Sequence, residues 1–143
     1  MPEKTLIIDE NPLPQPRPRV TKWGVFDKLR EKKLWWKSII ANQFNDVLEC
    51  PVEVEFRFYL KIPKSTSKKK IAQMIVGEIF HTKKPDIDNL VVGLLNCMTD
   101  VVYRDDNQVY KLHAEKKYSL EPRTEILVRW EESGQDKNSE NGQ

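Results

Sequence analysis

Between residues 52 and 62 apolar and polar side chains alternate. Val52, Val54, Phe56, Phe58 and Leu60 fall on one side, and Glu53, Glu55, Arg57, Tyr59 and Lys61 on the other. A period of two predicts a half-buried strand, which Pro63 ends. From residue 27 to about 48 the spacing changes to three and four. Leu29, Lys33, Trp36, Ile40 and Phe44 recur at helical steps with Leu34, Ile39 and Val47 beside them, and Pro51 closes the unit. Lys28, Arg30, Lys32, Lys33 and Lys37 give this helix a basic side. Trp35 and Trp36 suit base stacking or core packing, and core is the commoner use of a helical aromatic. Residues 65–76 predict a short basic helix, with Ser65, Thr66 or Ser67 as cap and Lys68, Lys69 and Lys70 in its first turn. Leu90, Val91, Leu94, Leu95 and Met98 mark an amphipathic helix over 89–98. Residues 5–8, 108–117 and 124–130 are β-prone. Tyr110, Leu112 and Ala114 share one face of the second of these strands; Ile126, Val128 and Trp130 share one face of the third.

Strands and helices mixed in this order predict an α+β fold. It would be a single-domain two-layer fold, a mixed sheet of about four strands packed by helices, spanning residues 1–130. The 143-residue length supports one such core. Residues 11–20 hold four prolines, which exclude a helix. They predict an extended loop carrying Arg17 and Arg19 outward, or a short proline-rich ligand. Residues 131–143 are polar and are expected to be a disordered tail.

Charge alters the picture by its placement. The net charge is only +2, but residues 61–84 carry seven Lys against one acid and residues 85–106 carry five Asp against one Arg. Residues 1–40 carry nine Lys/Arg against five acids. Basic segments suit a polyanion, since phosphate neutralisation supplies most non-specific nucleic-acid affinity. An acidic run beside them would repel that polyanion unless a divalent cation lay between. Solvated surface charge is the plain alternative. No apolar run reaches the roughly 20 residues a membrane span needs, and no signal-peptide pattern opens the chain. Two cysteines, Cys50 and Cys97, lack metal spacing and point to a reducing, cytoplasmic setting.

The chemistry-bearing stretch is Lys83-Lys84-Pro85-Asp86-Ile87-Asp88-Asn89, followed after a helix by Tyr103-Arg104-Asp105-Asp106-Asn107-Gln108. If the approach is extended, Asp86 and Asp88 point the same way. The return then brings Asp105 and Asp106 back toward the same element. Mg²⁺ favours carboxylate oxygens together with water and substrate phosphates, and paired ions suit phosphodiester displacement. The competing reading is structural: Asp86 or Asp88 as helix cap, and Asp105-Asp106-Asn107 as turn chemistry. His81 and His113 stand outside any ligand spacing.

These residues also carry a resemblance. Asp86-Ile87-Asp88-Asn89-Leu90 with Val102-Tyr103-Arg104-Asp105-Asp106-Asn107-Gln108-Val109 resembles the RusA family of Holliday junction resolvases. Pro14-Gln15-Pro16-Arg17-Pro18-Arg19 resembles its N-terminal loop. The lysines near 63–70 and 81–85 resemble an insertion of phage-type members. The likeness spans roughly residues 5–130. It implies a homodimer that binds four-way DNA junctions and nicks them with Mg²⁺, or Mn²⁺, in recombination and repair. By motif position Asp86, Asp88 and Asp106 would be catalytic and metal-binding, with Asp105 assisting and Asn89 supporting. Arg17, Arg19, Lys68, Lys69, Lys70, Lys83 and Lys84 would contact DNA phosphates. The likeness departs at Val92, where a lysine is usual, and at Asn96, where an aspartate is usual. A lysine one helical turn beyond Asp88 would lie above the acidic site; valine there cannot orient a phosphate.

Three functions therefore compete. The first is a metal-dependent endonuclease. The second is a junction-binding protein with weak or lost cleavage. The third is an interaction domain whose aspartates are caps and turns, which would give no response to divalent cations.

Overall fold

The computed structural model describes residues 1–14, 19–21, 24–26 and 30–131, with only the backbone of 19–21 and 24–26. Four strands form one mixed sheet in the order β1-β6-β4-β5: β1 Glu3–Ile8, β4 Val52–Lys61, β5 Val109–Ser119 and β6 Arg123–Trp130. β6 pairs antiparallel with β1 and with β4, while β4 and β5 run parallel. A parallel pair needs a long crossover. That connection carries helices α2 (Lys68–Ile75) and α3 (Ile87–Met98) and a 3-10 turn at Asp106–Gln108. The expected α+β class and the mixed four-stranded sheet are borne out.

The sheet buries one face. Val52, Val54, Phe56, Phe58 and Leu60 of β4 point inward beside Leu6, Ile8, Ile126 and Val128. Helix α1 (Arg30–Gln43) covers them with Trp36 and Ile40, and α3 with Leu90, Leu94, Cys97 and Met98. The opposite face is ionic. Arg129 reaches Glu53 at 2.9 Å and Glu3 at 3.1 Å, and Arg123 reaches Glu125 at 2.9 Å. The two tryptophans part company: Trp36 is core and Trp35 is exposed. Both indoles donate to the carboxylate of Glu10, at 3.0 and 2.9 Å, which ties the chain after β1 to α1.

Three expectations need correction. Helix α1 stops at Gln43 rather than near residue 48. The Gln43 amide exchanges two hydrogen bonds with the Ile7 backbone, and Leu48 donates to the Val102 carbonyl at 2.8 Å, so tertiary pairing takes the last predicted turn. Residues 11–14 carry no regular structure, as expected of a loop, but at the end of the proline-rich segment the backbone of β2 (Arg19–Thr21) pairs antiparallel with that of β3 (Gly24–Phe26), which the sequence reading does not predict. Arg17 lies outside the described residues, as do residues 132–143 of the expected tail. Finally, β5 carries an irregularity: Val52 faces Val109 but Glu53 faces Lys111, so Tyr110 is the extra residue of a bulge. Tyr110 and Leu112 are exposed, because β5 is an edge strand that the helices cover only in part.

Ser67 proves to be the cap of α2, its Oγ accepting from Lys70 N at 3.3 Å. The helix ends at Ile75 with Val76 as its C-cap, and Gly77 follows with a φ of 86°, the left-handed conformation that favours glycine after a helix. Among the described residues no helix is long and apolar enough to cross a membrane.

Candidate active site

Helix α3 begins where the sequence places Asp86. Asp86 is its N-cap with extended backbone (φ −71°, ψ 143°), and its carbonyl accepts from Leu90 N at 3.2 Å. Its carboxylate makes no capping hydrogen bond. A carboxylate in the cap position that declines the cap remains open to another ligand. Asp88 sits exposed in the first turn, where the helix dipole favours negative charge. The approach runs through a cis Lys84–Pro85 bond and is held from β5: Lys116 Nζ donates to the Lys83 carbonyl at 2.8 Å and the Pro85 carbonyl at 2.9 Å.

After α3 the chain returns through Tyr103, fully buried, whose Oη donates to the Leu95 carbonyl at 2.8 Å. Burial first, and the nearby Asp106 charge second, pushes this phenol far above its ordinary range. The two following aspartates then divide their work. Asp105 caps the 3-10 turn, its Oδ1 accepting from Asn107 N at 3.0 Å. Asp106, in the turn itself, has no such bond and is exposed. Gln108 locks the return: its Oε1 accepts from Arg104 N and Asp105 N, and its Nε2 donates to the Leu48 and Cys50 carbonyls, all at 2.9–3.0 Å.

The predicted acidic residues are thus presented as two pairs, Asp86 and Asp88 at the start of α3 and Asp105 and Asp106 in the return that packs against it. Leu95, where Tyr103 anchors the return, lies seven residues beyond Asp88, or about 10 Å along the helix axis. Among the described residues no group of three or more His, Cys, Asp or Glu side chains is arranged to hold a metal ion. The donors nonetheless have the right chemistry for a hard cation. Asp86, Asp88 and Asp106 offer exposed oxygens that no hydrogen bond or ion pair to a described residue claims, and Mg²⁺ needs only one or two carboxylates besides water and phosphate.

The basic residues surround this region unevenly. Lys83 and Lys84 are exposed immediately before Asp86, and Lys68, Lys69 and Lys70 form the exposed first turn of α2. Arg19 belongs to β2 by its backbone. Val92 and Asn96 continue the exposed stripe of Asp88 along α3 at one-turn intervals, Val92 being 47% exposed. Asn96 also lines a small cavity of about 170 Å³ with Arg30, Lys33 and Lys37 of α1.

Sequence reasoning missed Lys116. The signal was there: by strand parity Lys116 falls on the face of Leu112 and Ala114, opposite buried Phe58. A lysine on an inward face asks for a partner. Two residues on, the Tyr118 ring packs against His81 in a tilted contact with centroids 4.7 Å apart. His81 lines a groove of about 630 Å³ between α2 and β5, and its Nδ1 is buried with no hydrogen-bond partner among the described residues. Burial first, then the Lys116 and Lys83 charges, lowers its pKa below the ordinary 6.5. The unfolded chain therefore binds more protons as pH falls through 6.5, and stability present above that pH is lost below it. Melting temperature should drop between about pH 7 and 5, and His81→Gln should flatten that part of the profile.

The model of the RusA endodeoxyribonuclease family matches residues 9–129, and the chain belongs to that family. Its class of activity is that of a nuclease acting on Holliday junctions, which are branched DNA. A relative in Bacillus subtilis (strain 168), "Uncharacterized protein YqaN", is 34% identical over 127 residues, covering 82% of this chain and 89% of its own.

Proposed function

We propose that this chain is a Mg²⁺-dependent, structure-selective endodeoxyribonuclease that resolves four-way junctions by paired nicks and acts as a homodimer. Asp86 carries the reading: a carboxylate at the start of α3, in the family's acidic motif, that serves no cap. Asp86, Asp88 and Asp106 would hold Mg²⁺ or Mn²⁺, with Asp105 assisting from its turn. When bound, the cation neutralises phosphoryl charge and activates water for attack. The chain's own part is to bind and orient. Lys68, Lys69, Lys70, Lys83 and Lys84, with Arg17 and Arg19, would contact backbone phosphates, which position DNA without reading its sequence. Two opposed cuts on a twofold-symmetric junction favour a twofold dimer. The test is incubation of the protein with an end-labelled four-way junction and Mg²⁺ or Mn²⁺. Paired symmetrical nicks that vanish in Asp86→Asn support the reading; absence of cleavage with both metals refutes it.

The exposed Val92 favours a second reading, junction binding with weak cleavage. It lies one turn from Asp88 with no ammonium to offer a phosphate. Under that reading Val92→Lys raises the cleavage rate by about tenfold, equivalent to 1.4 kcal/mol of transition-state stabilisation. An unchanged rate indicates that another cation already fills the role.

A further inference from the structure

We infer that Lys116 is a positioning residue of the acidic site, acting by fixing the backbone that presents Asp86. The inference rests on the metal-nuclease reading above. Its ground is the hydrogen-bond inventory of the approach to α3. Among the described residues, 80–85 take part in no backbone–backbone hydrogen bond; the bonds resume only when the Asp86 carbonyl accepts from Leu90. Pro85 has no N–H to give. A segment that enters a helix without bonds of its own is free to swing, and the side chain at the N-cap swings with it.

Lys116 removes that freedom. It stands on β5, which pairs with β4 along its length, so its Cα is fixed by the sheet. From there one ammonium donates to two carbonyls, those of Lys83 and Pro85, at 2.8 and 2.9 Å. Two bonds from a single atom to residues on either side of Lys84 set both the position and the direction of the chain reaching Asp86. An ammonium has three donors, so one remains for a further acceptor. Tyr118, two residues along the same face, presses on His81 and fixes the beginning of the same segment. The charge that would be an error on an inward strand face is thereby explained: its partners are loop carbonyls rather than a carboxylate.

The variants are Lys116→Met, Lys116→Arg and, as a control on the neighbouring exposed position, Lys117→Met. Two readouts need no junction cleavage. The first is the rate of trypsin cleavage after Lys83 in the folded protein. The second is Mn²⁺ affinity without DNA, followed by the electron spin resonance of free Mn²⁺. Lys116→Met should accelerate the trypsin cut and weaken Mn²⁺ binding by about tenfold, the usual cost of losing a group that orients a ligand. On junctions kcat should fall with it, and KM should rise by less than kcat falls, because of the proposed phosphate contacts only Lys83 and Lys84 lie on the loosened segment. Lys116→Arg should recover most of each loss, since a guanidinium keeps donors for both carbonyls. The inference is overturned if Lys116→Met keeps wild-type trypsin resistance and Mn²⁺ affinity, or if Lys117→Met loses as much. If the wild-type protein cuts no junction, the nuclease reading falls, and the trypsin and Mn²⁺ measurements still decide the role of Lys116.

Discussion

Asp86→Asn should reduce junction cleavage at least about a hundredfold, close to 2.7 kcal/mol of transition-state stabilisation, while leaving the fold as stable as before. The two halves of that result belong together. Asparagine is as good an N-cap residue as aspartate, and the Asp86 side chain makes no cap bond to lose. Unfolding in urea should therefore differ by no more than about 0.5 kcal/mol, as for ordinary surface changes. Junction affinity should hold or rise, because a negative charge that repels phosphates has gone. Asp105→Ala should behave the other way. Its carboxylate caps the 3-10 turn, so it should cost about 1 kcal/mol of stability and less activity. An Asp86→Asn protein that is merely unstable would return the aspartates to the role of caps and turns.

Gln108→Ala should be the most damaging of the polar substitutions. One side chain closes four hydrogen bonds, two to backbone N–H groups of the return and two to carbonyls of the segment before β4. At about 0.5–1.5 kcal/mol net for each bond the loss is roughly 2–6 kcal/mol, readable as a fall in the urea midpoint with little change in slope. Gln108→Glu discriminates further. A carboxylate still accepts from Arg104 and Asp105 but cannot donate to Leu48 and Cys50, whose carbonyls would then face negative charge. It should be no better than alanine, and both should lower cleavage by loosening Asp106.

Much of this was written in local pattern, and the exceptions have physical causes. The alternation of β4 reads directly because every second residue enters the same core. The α3 helix is legible to within two residues at its start, which the apolar spacing puts at 89 and the structure at Ile87. The periodicity of α1 runs a turn past its end at Gln43 because Leu48 bonds to Val102, a partner far along the chain that no periodicity reports. The bulge at Tyr110 was invisible for the same reason, since register belongs to the pair of strands and not to either one. The motif proposed a common task for Asp105 and Asp106, yet only coordinates separate the capping carboxylate from the unengaged one. Lys116 broke the inward pattern of its strand, which is a legible anomaly; its partners, more than thirty residues upstream, were not legible.

Between the end of β4 and the start of β5 the chain makes a single excursion, and both aspartate pairs and the lysines at 68–70 and 83–84 lie within it. Most of the residues proposed for the chemistry thus lie on one excursion, with Arg17 and Arg19 supplied from the segment before α1. The excursion's inner face is core, since Leu90, Leu94, Cys97 and Met98 of α3 pack with β4, so it can be exchanged only together with the residues it packs on. The pins that fasten it, Lys116 and Tyr118, belong to the scaffold, so any transplant must carry them along.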